Sequence, residues 1–160
     1  TAPNSDNHAH DEQNSWEKTL SQFCAIAAGN DLIVNCGMFA TGMTCSHEQL
    51  LMDEDISAIS RRIAQGLKVN PETIAAEVIK SVGPHGESYL TNDHTMQWLH
   101  SDEYVKTELS VVGPRATWEA KGSKDTYQLA RDKVAQHAAK QAKPIDANLS
   151  TQLAEIIGSF

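Results

Sequence analysis

Imidazoles and carboxylates open this chain in close order: His8, His10, Asp11 and Glu12 lie almost side by side, and both side-chain types bind divalent ions. The spacing selects no metal, because no second pair of ligands stands at a matching interval, and an ordinary polar role competes with coordination. Cys36 and Cys45 with His47 pose the same question, with thiols lining a loop or a core as the plainer reading. Ser46, Asp93 and His94 supply the residue types of a hydrolytic triad, yet no Gly-x-Ser-x-Gly turn exposes a nucleophile, so that chemistry is set aside. Gly83-Pro84-His85-Gly86 lacks both the glycine order and the preceding strand of a dinucleotide loop, and reads as a helix stop followed by a turn. The richest segment is 38–48, which joins soft apolar groups, hydroxyls and the Glu48 carboxylate. At the C-terminal end of a barrel strand such a loop faces an active site. Equally, Met38 and Phe39 would be core and Ser46 would cap the next helix; composition leaves the two readings open.

The elements that must position these groups follow from periodicity. Trp16, Leu20, Phe23, Cys24 and Ala27 recur at helical spacing over residues 11–28, with Gly29-Asn30 as the stop. Residues 32–39 are largely apolar without alternation and are bounded by turn residues, which predicts a strand buried on both faces, as in a parallel sheet. A single such strand needs neighbours, and the remainder of the chain offers no second convincing strand, so its partners are expected elsewhere. Ile56, Ile59, Ile63 and Leu67 then predict one face of a helix with Asp53, Glu54 and Asp55 at its N-terminal end. Asn70-Pro71-Glu72 starts another, whose buried stripe would be Ile74, Ala75, Val78, Ile79 and Val82, up to Gly83-Pro84. After a loop over 83–93 come a short helix near 95–100 and an irregular connection to Pro114. The last helices are expected over about 123–141, with Tyr127, Ala130, Val134 and Ala138 on one face, and 148–157, separated by Pro144.

Composition bounds the function. The chain has 160 residues, 40% hydrophobic and 21% charged, the balance of an ordinary globular protein. A net charge of -8 with no basic run would repel phosphate backbones and anionic lipid heads, so neither nucleic acid nor a membrane surface is an expected partner. The longest apolar stretch, 23–39, is broken by Gly29, Asn30, Asp31 and Asn35 and cannot cross a bilayer as one helix. The polar, acid-bearing start carries no signal-peptide pattern, and three cysteines, an odd number, favour reduced thiols and a cytoplasmic protein.

One ordered set of motifs spans most of the chain. Ser5-Asp6 is followed by Asp11-Glu12-Gln13, Trp16-Glu17, Gly37-Met38, Gly42-Met43-Thr44 and Ser46-His47-Glu48-Gln49-Leu50. Met52-Asp53-Glu54-Asp55-Ile56, Val82-Gly83-Pro84, Tyr89-Leu90, His94-Thr95 and Trp118 with Gly122 continue it. On these residues the chain resembles the C-terminal part of a trimethylamine methyltransferase, of the group that methylates a corrinoid protein; after Trp118 only the helical pattern continues the likeness.

The resemblance implies an α/β fold: the C-terminal part of a (β/α)8 TIM barrel with a helical C-terminal extension, mostly α within this chain. Residues 1–50 would supply the last helix-strand units and residues 51–160 the helical region. It implies methyl transfer from trimethylamine to the Co(I) corrinoid of a cognate corrinoid protein in methylamine-dependent methanogenesis, by a homo-oligomer that binds no cofactor directly. Trimethylamine-specific members resemble one another in carrying an amber-encoded pyrrolysine in the barrel, and by eye that residue would fall just before Thr1, so the catalytic electrophile is expected upstream. An electrophilic imine would take up the amine lone pair and give a cationic nitrogen with an activated methyl group. What the resemblance leaves to this chain is the cavity wall. Asp6 and Glu48 are candidates to stabilise the cation or relay a proton, His10 and His94 to hydrogen-bond near it, and Met43 to line the corrinoid entrance. Trp16 or Trp98 would face a methylammonium group, although each is at home in a core. Two other classes compete: a betaine-type corrinoid methyltransferase, which needs no pyrrolysine because its substrate nitrogen is already cationic, and a non-catalytic helical binding module.

Overall fold

The computed structural model describes residues 2–86, 88–140 and 145–159. The order is α1 (Glu12–Ala27), β1 (Met38–Phe39), β2 (Thr44–Cys45), α2 (His47–Ala64), α3 (Pro71–Ile74), α4 (Ala76–Val82), a 3-10 turn (Tyr89–Thr91), α5 (Asp93–Leu99), α6 (Arg115–Ala120), α7 (Thr126–Ala138) and α8 (Ala147–Gly158). The chain is mostly helical. α1 packs on α2 and α2 packs on α7, and these three helices hold the interior.

The helix starts follow from local chemistry. Asp11 accepts from the backbone N–H groups of Gln13 and Asn14 and caps α1. Ser46 caps α2 through Gln49 N at 3.0 Å, the role open to it on composition. That start puts Asp53, Glu54 and Asp55 well inside the helix rather than at its N-terminal end. Asn70 and Thr73 form a reciprocal capping box at α3, with proline in its first turn.

The buried faces are not the apolar ones. On α1 the residues turned inward are Asn14, Lys18 and Gln22, whereas Trp16 is 68% and Leu20 66% exposed. On α2, Gln49, Met52, Asp53, Ser57 and Ser60 are buried, while Ile59 and Ile63 are exposed, as is Leu67 beyond the helix end. Two polar stripes of helical period therefore face each other. Although the Asn14 side-chain amide and Gln22 Oε1 are buried without a partner among the described residues, the stripes are joined by Lys18 to Asp53 and Gln22 to Ser57, with Gln49 bonded to Asp53 along α2. Buried polar groups cost little only when so paired.

The segment expected as one buried parallel strand is divided. Val34 makes a single antiparallel bridge to Ala2, and Met38–Phe39 pairs antiparallel with Thr44–Cys45, in the register Met38 to Cys45 and Phe39 to Thr44. Asn35 at φ 83° and Gly37 at φ 84° leave the extended region and break the run, and Leu32 is exposed. The predicted single helix after Pro71 is likewise split, because Ala75 adopts a left-handed conformation between α3 and α4. Its expected buried stripe is open, with Ile74 and Ile79 about half exposed. The short α6 was not foreseen. α5, α7 and α8 fall where periodicity puts helices; Gln141 and Pro144 lie outside the described residues.

Gly37 joins the hairpin to α2. Its N–H donates to Asp53 Oδ2 at 2.7 Å, and a Cβ there would meet Leu50 Cβ at 3.3 Å and Ser46 O at 3.4 Å. Gly37→Ala should cost at least about 1–2 kcal/mol for the left-handed conformation alone. A melting temperature unchanged from wild type would refute that.

Candidate functional site

The hairpin, the start of α1, the first turns of α2 and the start of α7 meet around His10. Its ring stacks on Tyr127, with centroids 4.6 Å apart and planes 20° from parallel, and is tilted against Phe39 at 4.6 Å. Phe39 is held by the β1–β2 pairing, and Tyr127 is delivered by α7, whose start is fixed by the capping box of Asp125 and Gln128. Behind His10 runs a buried chain of hydrogen bonds. His10 Nδ1 lies 2.8 Å from Gln49 Oε1, Gln49 Nε2 donates to Asp53 Oδ1 at 2.9 Å, and Lys18 Nζ donates to Asp53 Oδ2 at 2.8 Å. Gln49 and both members of the ion pair are wholly buried.

In front of His10 opens a cleft of about 670 Å³ lined by Asp11, Glu12, Trp16, Met52, Asp125 and Tyr127 among others. Rings and carboxylates share this wall. Its charge is negative by residue type, and its aromatic faces carry the negative side of the ring quadrupole, so the cleft favours a cation of modest size. Asp11 is held below the usual carboxylate range by the Asn7 side-chain amide and then by backbone N–H groups, against some opposition from burial. Glu17, at the edge of the same helix turn, is lowered by hydrogen bonds from Gln13, Ser5 and the backbone of Asp6 and Asn7. Cys36, half-buried beside the ion pair, is pushed up by burial and by the charge of Asp53. All three cysteines are free.

Of the candidates drawn from the sequence, His10 is at the centre and Trp16 on the wall of the cleft. Asp6 is exposed, and its backbone N–H donates to Glu17 at 3.0 Å. Glu48 is half-buried in the first turn of α2. Met43 is 87% exposed in the turn between β1 and β2. His94 is elsewhere: its Nε2 lies 2.8 Å from the Glu72 carbonyl oxygen and its ring leans on Trp98 at 5.9 Å. His8 is exposed, and among the described residues no three His, Cys, Asp or Glu side chains gather as a metal site would require. Sequence reasoning names Gln49 only inside a motif and Asp53 only there and among the acids of a helix start, and it passes over Lys18. The signal was present in the matching intervals Asn14, Lys18, Gln22 and Gln49, Asp53, Ser57 on successive helices. Among the described residues no helix is long and apolar enough to cross a membrane.

Comparison with known proteins gives the chain its family. The chain belongs to the trimethylamine methyltransferase family, whose model matches residues 1–159. A trimethylamine methyltransferase of Desulfitobacterium hafniense is 36% identical over 125 residues, 78% of this chain and 25% of that protein. One from Methanosarcina acetivorans is 34% identical over 155 residues, 96% of this chain and 30% of that protein. A third, from Methanosarcina barkeri, is 34% identical over the same share. The chain thus spans about a quarter to a third of the length of these relatives.

Proposed function

We propose that this chain is the C-terminal part of a cytoplasmic, homo-oligomeric methyltransferase that moves a methyl group from trimethylamine to the Co(I) corrinoid of a cognate corrinoid protein, in methylamine-dependent methanogenesis. Residues 1–50 would close a (β/α)8 barrel begun upstream, and residues 51–160 would extend it. The observation that carries the reading is the identity with proteins named trimethylamine methyltransferase over 96% of the chain. The cleft supports it, because the rings of His10, Trp16 and Tyr127 together with Asp11, Glu12 and Asp125 suit a methylammonium group. Exposed apolar side chains support it as well. Trp16, Leu20, Ile59 and Ile63, with Leu149, Leu153, Ile156 and Ile157 on α8, leave more apolar surface open than a free-standing module would tolerate. The corrinoid enters as the partner's cargo, and the electrophile that makes the amine a leaving group belongs to the segment before Thr1.

The test is methyl transfer by the full-length parent protein to a Co(I) corrinoid protein, followed by visible absorbance. Methyl-Co(III) is expected with trimethylamine and not with glycine betaine. Transfer from betaine alone would move the protein to the quaternary-amine class, and transfer from neither would sink the reading. In the same assay Asp6→Ala, a change outside the lining of the cleft, should slow transfer about tenfold if its charge steadies the cation, the equivalent of about 1.4 kcal/mol; an unchanged rate would remove Asp6 from the candidates.

A further inference from the structure

We infer that Gln49, held by the buried Lys18–Asp53 ion pair, fixes His10 as the Nδ1–H tautomer, so that the only ring nitrogen left to a ligand, Nε2, is a hydrogen-bond acceptor. Gln49 and Asp53 are positioning residues for that state.

The argument starts at Asp53. Its Oδ2 accepts from Lys18 Nζ at 2.8 Å and from Gly37 N at 2.7 Å, and its Oδ1 faces the Gln49 amide at 2.9 Å. Ion-paired with the Lys18 ammonium, Asp53 is a carboxylate with no proton to donate from Oδ1, so the group that Gln49 presents to it must be the NH2 end. The amide cannot be turned round without setting carbonyl oxygen against carboxylate. Its Oε1 is therefore the atom directed at His10, at 2.8 Å from Nδ1. A carbonyl oxygen only accepts, so Nδ1 must carry a proton. In the neutral ring the lone pair is then on Nε2.

The assignment has a chemical consequence for the cleft. His10 in the neutral form meets a ligand as an acceptor, and it therefore favours groups that bring an N–H or O–H. A protonated tertiary amine and the secondary ammonium left after loss of a methyl group both do so. A quaternary ammonium has no N–H to offer. This preference rests on the methyltransferase reading, but the tautomer does not, because it follows from residues of this chain alone.

The test therefore reads the tautomer directly. The full-length parent protein is labelled with nitrogen-15 in its histidine rings, and the His10 signals are assigned by their loss in His10→Gln. At a pH where the ring is neutral, wild type should show a protonated Nδ1 and a pyridine-like Nε2. Gln49→Met keeps the length of the side chain and removes the oxygen, and should let the Nε2–H form appear. Asp53→Asn should go further where it folds, because an Asn amide can donate to Gln49, turn it round and present its NH2 to Nδ1. A wild-type ring with its proton on Nε2 would overturn the proposal, as would a Gln49→Met spectrum identical to wild type. Neither readout needs substrate or corrinoid, so a failure here is separate from a failure of the transfer assay.

Discussion

Lys18→Met should destabilise the α1–α2 pair by about 3–5 kcal/mol, the cost of leaving a buried carboxylate without its counter-charge. Both side chains of the pair have zero exposure, so water cannot take the place of the lost ammonium. Methionine keeps most of the volume of the lysine stem, which confines the effect to charge and hydrogen bonding rather than to a cavity. Native-state hydrogen exchange on the full-length protein reads this locally, as a fall in the opening free energy of amides in α1 and α2. A second change isolates the cause. Adding Asp53→Asn to Lys18→Met removes the orphaned charge and still offers an oxygen to Gly37 N, so the double variant should be more protected than Lys18→Met alone. If the double variant is no better, the ion pair is not what holds these helices, and the polar stripe must be stabilised by its hydrogen bonds instead.

That buried pair also explains what the sequence did and did not disclose. The starts of α1 and α3 are legible because they depend on neighbours in the chain: Asp11 bonds to amides two and three residues on, and Asn70-Pro71 presets a first turn, whereas the acidic run Asp53-Glu54-Asp55 competes with Ser46 as the start of α2 and is misleading there. The inward faces are not legible. Apolar periodicity marks one side of a helix, and here that side, with Trp16 and Leu20 on α1 and Ile59 and Ile63 on α2, is exposed. It does not tell which side meets the next helix, and here that side is a row of polar residues in which Lys18 pairs with Asp53 and Gln22 with Ser57, each across 35 residues. The strand expected over 32–39 failed for a local reason, the positive φ of Asn35 and Gly37, which a run of apolar letters does not reveal.

The site was partly legible on the same terms. His10 and Trp16 stood out by residue type, and both are at the cleft. Tyr127 reaches His10 only through the packing of α7 on α2, a contact between positions more than a hundred residues apart, and no local pattern announces it. His94 shares the chemistry of His10 but bonds to Glu72 and leans on Trp98, so it is not brought to the cleft.

The dependence of the cleft on α7 leads to Leu109→Ala, which should cost about 2–5 kcal/mol. Leu109 is 1% exposed and packs with Met52 of α2 and Ala130 of α7, and Leu51, Tyr127 and Leu129 close around the three. Its backbone is fastened too, because the Asp55 carboxylate accepts from Glu108 N and Leu109 N, each at 2.9 Å. That tether should prevent the segment from collapsing into the space left by the side chain, which places the loss toward the upper part of the range. The damage should be directional. α7 rests on α2 largely through this cluster, whereas α1 is tied to α2 by the ion pair and its hydrogen bonds, so amides of residues 126–138 should exchange faster while those of 12–27 change little. As α7 loosens, Tyr127 should leave the face of His10, and the cleft should lose one of its rings without any substitution in its wall. Uniform loss of protection across all three helices would mean that they form a single cooperative unit, and unchanged protection in α7 would mean that Leu109 is not the residue that seats it.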